Sequence, residues 1–132
     1  MVKLVQCIAR KPGMDAVEFR THWNNYGKVL EELVRGRPNI VRYRLSTTLL
    51  VDENVRFMID YGMPAPYDGL VEIWVEDAML TTRNLRENPE AKAQMQKLGA
   101  LLREFVDPEK STMFYTAEEM TFDRPAGRTA AD

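Results

Sequence analysis

Hydrophobic and polar residues along the chain follow two periods, which predict short strands alternating with helices. Residues 2–9 (VKLVQCIA) form a β-rich run, and Pro12 and Gly13 in the following RKPG end it. Apolar residues then recur at spacings of three and four, which indicates a helix from about Asp15 to Val34 with one face toward a core. Asp15 can cap this helix, with Glu18 reaching back three residues later. Its apolar stripe contains Phe19, Trp23, Tyr26, Leu30 and Leu33.

The rest of the chain continues the alternation. Residues 40–48, 67–75 and 111–117 read as strands, and residues 77–86 as a short helix. Asn88 followed by Pro89 marks the start of a longer helix. The apolar stripe of that helix consists of Ala91, Met95, Leu98, Leu102 and Phe105. These elements fit one domain over residues 1–122, because a domain usually has about 100 to 150 residues.

Two segments stand outside this pattern. Residues 49–66 are a long connection for a small domain, in which loops of about two to six residues are usual, so we expect an inserted loop that acts as a lid or an interface. Residues 123–132 (DRPAGRTAAD) are polar and predict a flexible tail.

The element order β-α-β-β-α-β predicts an α+β fold with a ferredoxin-like antiparallel sheet that carries both helices on one face. The third strand, YDGLVEIWV, is apolar on both faces: Leu70 and Trp74 point one way, and Val71, Ile73 and Val75 point the other way. A second chain can cover the face without helices. We therefore predict a homodimer in which two sheets pack face to face as a dimeric α+β barrel.

Charge and cysteine content narrow the class of partners. The net charge is −2 and the pI is near 5.5, whereas nucleic-acid binding needs a basic face. The element order is also that of RNA-recognition modules, but the third strand is acidic where those modules are basic and aromatic. We expect no nucleic-acid partner. Cys7 is the single cysteine, and the chain begins without a charged leader, which favours the cytoplasm. No apolar run approaches the roughly 20 residues of a membrane span, so no membrane partner is expected.

Four blocks of the sequence together resemble the EthD family of dimeric α+β barrel proteins. They are VKLVQCIARKPGMDAVEF, the following HW, YDGLVEIWV and FVDPEKSTMFY, and the similarity covers about residues 2–118 except 49–66. The resemblance implies a ferredoxin-like dimer with a pocket between helices and sheet. Its implication for chemistry is broad, since relatives include isomerases and dehydratases and the wider superfamily includes polyketide cyclases and cofactor-free monooxygenases. A fold does not determine a reaction.

The first helix departs from the family at one position. The family places a histidine after the tryptophan, and in several relatives that histidine faces the pocket, whereas HWNNYG has Tyr26 at the matching position. A tyrosine with a reference pKa of about 10 is a poor base at neutral pH but a good hydrogen-bond donor. His22 lies one turn earlier and could bond the phenol or a substrate. The alternative is that Tyr26 is a core residue and His22 a surface-edge histidine.

Two carboxylates are further catalytic candidates. Asp68 and Glu72 share a strand face, and Arg42 and Arg44 lie on the preceding strand, so we expect carboxylate and guanidinium groups to pair across the strands. A carboxylate in a dry pocket could instead have a raised pKa and act as a base. Cys7 is expected to be a core residue.

Aromatic residues are the natural walls of a pocket. Trp23, Tyr43, Trp74 and Phe114 are the candidates for substrate contacts, and Tyr115 is a further wall of any pocket, although such aromatic residues are more often core than ligand contacts. One histidine and one cysteine cannot supply a usual metal-ligand set, and no phosphate-binding glycine motif or nucleophile elbow is present, so we expect no metal and no cofactor.

Two hypotheses therefore remain. The first is a cofactor-independent enzyme that isomerises, cyclises, dehydrates or oxygenates a small hydrophobic cyclic or aromatic, or polyketide-like, metabolite. In it, Tyr26 and His22 donate hydrogen bonds to a developing enolate or phenolate oxygen. The second is a non-catalytic small-molecule-binding or accessory protein.

Overall fold

Residues 1–125, the part of the chain that the computed structural model describes, form a four-stranded antiparallel sheet with four helices. The predicted tail, 123–132, falls largely outside the described residues. In chain order the elements are β1 (Val2–Ile8), α1 (Ala16–Arg35), β2 (Ile40–Thr47), α2 (Asp52–Tyr61), β3 (Gly69–Val75), α3 (Ala78–Glu87), α4 (Pro89–Phe105) and β4 (Thr112–Ala117). The predicted ferredoxin-like arrangement is confirmed, with strand order β2-β3-β1-β4.

The two long helices begin at the predicted caps. The Asp15 carboxylate accepts from the Glu18 amide at 2.8 Å at the start of α1, and the Asn88 side chain accepts from the Ala91 amide at 3.1 Å at the start of α4. Each cap satisfies an amide that has no partner within its own helix.

The 49–66 segment contains a helix, α2, where its length predicts an inserted loop. Asp52 and Glu53 stand in its first turn, where the helix dipole favours negative charge, and Gly62 ends it with φ of 65°. None of the residues of α2 is buried within the single chain. The segment is therefore a helix that lies on the surface, rather than a hairpin.

The core lies between the sheet and the pair α1 and α4. The apolar stripes of both helices meet Ile8 of β1 and the odd-numbered residues of β3, Val71, Ile73 and Val75. The indole ring of Trp23 lies against Gly69, where an added Cβ would be 2.6 Å from the ring. By contrast, the helices leave the edge strand β4 partly open, since Met113 and Tyr115 on its helix side remain 53% and 44% exposed.

The face of the sheet without helices is less open than the sequence predicts. Trp74 is only 6% exposed, because Lys3, Arg42 and Arg44 place cations 5.2 to 5.5 Å from its ring centre and Glu118 accepts from its indole N–H. Cation–π contacts of this kind stabilise by about 0.5–1 kcal/mol at exposed sites. Large exposed hydrophobic residues are concentrated on 49–63 and on 113–122, and among them Phe114 lies on this face.

Within the described residues, no helix combines the length and the apolar character needed to cross a membrane.

Candidate functional site

A buried phenol–amide pair lies between α1 and the sheet. Tyr26 is 1% exposed, and its hydroxyl donates to the Oε1 atom of Gln6 at 2.7 Å. Gln6 comes from the centre of β1, where it stands opposite Val71 of β3 and Met113 of β4. Two neutral polar side chains from different elements therefore meet within an apolar layer, which is an arrangement that packing alone does not require.

The pair lines a cavity of about 140 Å³. Its other walls are almost entirely apolar and come from α1, α4, β3 and β4, with Thr81 of α3 at one side. The Thr81 hydroxyl donates to the carbonyl of Asp77 and accepts from Asn39, so its hydrogen bonds are already in use. A dry apolar cavity of about 150 Å³ can hold one benzene molecule, so this cavity has room for a single ring.

Burial favours the neutral form of the Tyr26 phenol. Desolvation raises the pKa of its phenol from 10.0 to about 12, and the hydrogen bond to Gln6 opposes this only in part. The phenol is therefore neutral at pH 7, and it can donate a hydrogen bond but cannot serve as a base.

Gln6 has donor capacity left over. Its Nε2 atom donates to the sulfur of Met113 at 3.7 Å, and a thioether is a weak acceptor. A ligand oxygen in the cavity would be a stronger acceptor than that sulfur, so Gln6 can offer an N–H beside the O–H of Tyr26.

The cavity has an outward continuation between α4 and β4. A hollow of about 620 Å³ shares Gly99, Leu102 and Met113 with the cavity and extends to Lys11, Arg103 and Ser111. Because β4 is an incompletely covered edge strand, this hollow, which we call the α4–β4 groove, reaches solvent. The groove and the cavity are adjacent, because Gly99, Leu102 and Met113 border both.

His22 does not share this cavity. Its ring stacks on Phe105 at 5.5 Å with an interplanar angle of 10°, and its Nδ1 atom lies 3.8 Å from Glu104 Oε2. The phenol of Tyr26 donates to Gln6 instead of meeting His22. The two residues are neighbours on α1, but they lie in different environments, and a catalytic role of His22 stays a prediction.

Asp68 and Glu72 also lie away from the cavity, and the expectation that they pair with Arg42 and Arg44 is corrected. Asp68 accepts from the Arg10 amide at 2.8 Å and lies 3.7 Å from its guanidinium, and Glu72 pairs with Lys3 at 2.9 Å. The two arginines lie over Trp74. Lys3 reaches Glu72 because β1 neighbours β3 on the side opposite β2, and their side chains share the face without helices.

The model of the EthD domain matches residues 11–109, a stretch that includes the 49–66 segment. The chain belongs to the EthD domain family. Its fold is similar to that of an EthD family protein from Bacillus halodurans, at 16% identity and a TM-score of 0.59 over 90% of this chain and 99% of that chain. Among curated proteins, no sequence matches this chain.

Two further solved structures show the same fold as this EthD domain. A dimeric ferredoxin-like protein from Thermobifida fusca is 11% identical, with a TM-score of 0.58 over 89% of this chain and 90% of that chain. SnoaB, a cofactor-independent oxygenase from Streptomyces nogalater, is 15% identical, with a TM-score of 0.53 over 93% of this chain and 97% of that chain. At these identities the similarity establishes the fold and leaves the activity open.

The four aromatic candidates of this EthD domain lie in different places. Trp23 is a core residue stacked on Phe19 and Tyr26, at centroid distances of 5.4 and 6.0 Å. Tyr43 packs against the edge of the core from β2, and burial followed by the nearby Glu31 raises the pKa of its phenol. Trp74 and Phe114 lie on the sheet face without helices. None of the four lines the cavity at Tyr26, and their role in substrate binding stays a prediction.

The residues that the sequence analysis missed are Gln6 and Met113, whereas Tyr115, expected as a wall of any pocket, does line the cavity. Gln6 had a visible signal, because it is the polar exception among the inward-facing positions of β1, between Leu4 and Ile8. Met113 gave none, since its contribution to the cavity depends on how far α4 covers β4.

A second hollow, of about 350 Å³, lies beneath α2. It is lined by Arg10, Arg20 and Asp68 together with apolar residues of α2 such as Val55 and Met58. Asp68 already pairs with Arg10 there. Across residues 1–125, no group of three or more histidine, cysteine, aspartate or glutamate side chains is placed to hold a metal ion.

Proposed function

We propose that this EthD domain is a cofactor-independent enzyme that acts on a small cyclic or aromatic, or polyketide-like, metabolite held in the Tyr26 cavity. The observation that carries the proposal is the buried Tyr26–Gln6 pair, two neutral hydrogen-bonding groups at the wall of an apolar cavity that adjoins the α4–β4 groove. The oxygen of a ring carbonyl or phenol is the ligand group that such a pair would recognise.

The chemistry follows from the protonation state of the pair. A substrate oxygen that enters the cavity can accept from the Tyr26 hydroxyl and from the Gln6 amide. Both donors strengthen as negative charge develops on that oxygen, as in an enolate or phenolate, and the apolar walls keep water from competing. Isomerisation, cyclisation, dehydration and cofactor-free oxygenation each pass through such an anion.

The residues that line the cavity limit the class of possible substrates. The residues around the cavity include no carboxylate, histidine or lysine. A general base must normally lie within hydrogen-bond reach of the proton that it removes. The proposed substrate is therefore one that ionises readily by itself, such as a phenol or a β-dicarbonyl ring, and the protein supplies the stabilising donors. The similarity to a cofactor-independent oxygenase supports this class of reaction.

The same absence of a carboxylate, histidine or lysine from these walls favours a second candidate, a non-catalytic small-molecule-binding or accessory protein. The two candidates differ in which protonation state of a ligand the site prefers. An enzyme of the proposed kind stabilises the anion, whereas a simple apolar binding site prefers the neutral form, because burial disfavours charge.

Titration of para-nitrophenol, whose absorbance reports its own ionisation, tests this difference. We expect the bound probe to have a lower pKa than the free probe, and Tyr26→Phe to abolish the lowering. Once a substrate is known, the same variant should lower turnover by about a hundredfold to a thousandfold, the usual effect of removing one transition-state donor. A bound probe whose pKa is unchanged or raised would support the binding protein instead.

The proposed enzyme is a homodimer. Exposed large hydrophobic residues on 113–122 and 49–63 form apolar surface that a single chain leaves in water, and such surface marks association sites. Solved relatives of the same fold are dimeric. Sedimentation at micromolar protomer concentration should give the dimer mass. Phe114→Asp should dissociate it if the sheet face forms the interface, whereas dissociation by Phe57→Asp alone would place the interface on α2.

A further inference from the structure

The α4–β4 groove differs from the cavity in its charge. The cavity walls are apolar apart from four neutral polar side chains, those of Gln6, Tyr26, Thr81 and Tyr115. By contrast, the outer part of the groove has Lys11 and Arg103 and no carboxylate among its lining residues. Within residues 1–125, neither cation forms an ion pair with an acidic side chain. The cavity is therefore neutral, and the adjoining groove is positively charged.

Contacts place the backbone of Lys11 and the side chain of Arg103 next to the groove. The Lys11 amide donates to the Phe105 carbonyl at 3.0 Å, which fixes the chain after β1 against the end of α4. The Arg103 side chain folds back along α4, since a Cβ added at Gly99 would lie 3.6 Å from its Nη1 atom. Gly99 is one of the residues that the cavity and the groove share. A positive charge consequently stands close to the place where the two spaces join.

Two acidic residues near this end of the fold, Glu104 and Asp107, have other partners. Glu104 faces His22 on α1, and the Asp107 carboxylate accepts from the Glu109 amide at 3.0 Å. Neither lines the groove.

We infer that the ligand of this site is an amphipathic carboxylate: one oxygen-bearing ring in the Tyr26 cavity, an apolar tail along Leu102 and Val106, and a carboxylate between Lys11 and Arg103. This inference rests on the proposed function, and it adds which end of the molecule enters first and what charge the other end carries. The ring size follows from the volume of the cavity, and the charge follows from the two unpaired cations. A neutral molecule of the same shape makes the ring and tail contacts but not the charge contact with Lys11 and Arg103.

A matched pair of probes separates the two contributions. Para-hydroxyphenylbutanoate carries the ring oxygen and the carboxylate, and its primary amide keeps the size and loses the charge. Binding to the full chain is measured by calorimetry. We expect the carboxylate to bind about three- to tenfold more tightly than the amide at low salt, in keeping with two partly exposed ion pairs. The difference should shrink at about 1 M salt, where the Debye length is about 3 Å.

The Lys11→Gln, Arg103→Gln double variant should lose this preference while its affinity for the amide stays unchanged, which also shows that the variant is folded. The control is Lys92→Gln, Lys97→Gln, which removes the same net charge from α4 outside the groove and should keep the preference. Tyr26→Phe should weaken both probes alike.

The outcomes distinguish the two proposals. Equal binding of both probes, or a preference that survives in the Lys11, Arg103 double variant, overturns the inference and leaves the ring site standing. Binding of para-nitrophenol without binding of either longer probe also overturns it, because the groove then does not continue the cavity. If none of the three probes binds, the proposed function fails together with the inference that rests on it.

Discussion

The hydrogen bond between Tyr26 and Gln6 allows a quantitative test of whether the cavity is dry. Tyr26→Phe leaves the Gln6 carbonyl oxygen without its partner, and Gln6→Leu leaves the buried Tyr26 hydroxyl without an acceptor. Each change should lower the free energy of unfolding by about 1–3 kcal/mol, the usual penalty for one buried unsatisfied group. In a chain of 132 residues, each kcal/mol corresponds to roughly 3–5 °C in Tm.

The double variant should behave differently from the sum of the two. Replacing both partners removes both polar groups, which is often close to neutral, so the combined loss should be smaller than the sum by at least about 1 kcal/mol. Urea unfolding of all four proteins at one fixed protomer concentration measures this coupling, because association also contributes to stability. Strictly additive losses would refute the reasoning, since they would mean that water in the cavity replaces either lost partner.

The double variant also connects stability to function. If the pair recognises a ligand oxygen, Tyr26→Phe with Gln6→Leu should keep most of the stability but lose the effect on para-nitrophenol. In that case the polar pair would be kept for ligand binding and not for stability, since an apolar pair would fold equally well. Such a compromise between stability and function is common in proteins.

Three more predictions follow from single residues. Because the pKa of Tyr26 is 10.0 unfolded and about 12 folded, its contribution to stability should be complete well below pH 10 and be lost, by up to about 2.7 kcal/mol, as the pH rises from 10 through 12. Alkaline unfolding of Tyr26→Phe should lack this component; an identical pH profile would contradict the buried phenol. His22→Asn should change the affinity for para-nitrophenol by less than about twofold, because His22 makes no hydrogen bond to Tyr26, and the loss of such a bond would have a larger effect. A larger loss of affinity would show that His22 belongs to the site. Gly69→Ala should cost about 1–3 kcal/mol in urea unfolding, because its Cβ would meet Trp23; an unchanged midpoint would contradict that contact.

Local signals explain why most of the fold could be predicted. Asp15, Asn88 and Pro89 act within a few residues of the helix ends that they define, and the helical and strand periods are local as well. The α2 helix was missed because residues 49–66 were interpreted from their length as a loop, although Val55, Met58 and Ile59 recur at helical spacing.

The position of His22 shows where local reasoning ends for the site. Helix geometry correctly places His22 beside Trp23, at the edge of the buried stripe of α1. It does not say which side chain of another element fills the neighbouring space, and in this EthD domain that side chain is Phe105 of α4. Tyr26, which the family resemblance sets at the position of a histidine, has its hydrogen-bond partner on the sheet rather than on its own helix.

Gln6 shows which tertiary feature the sequence could have indicated. The residues of β1 that face the helices are Val2, Leu4, Gln6 and Ile8. The alternation of the strand therefore places the amide of Gln6 in the core. A buried amide needs a hydrogen-bond partner, and the aromatic stripe of α1 offers one hydroxyl, that of Tyr26. Gln6 is the one polar side chain on the inward face of β1, and Tyr26 offers the one matching hydroxyl on the inward face of α1. The sequence could therefore have indicated that these two side chains bond, although twenty residues separate them. The cavity beside them could not be inferred in this way, because it arises from the incomplete cover of β4 by α4, which no local pattern encodes.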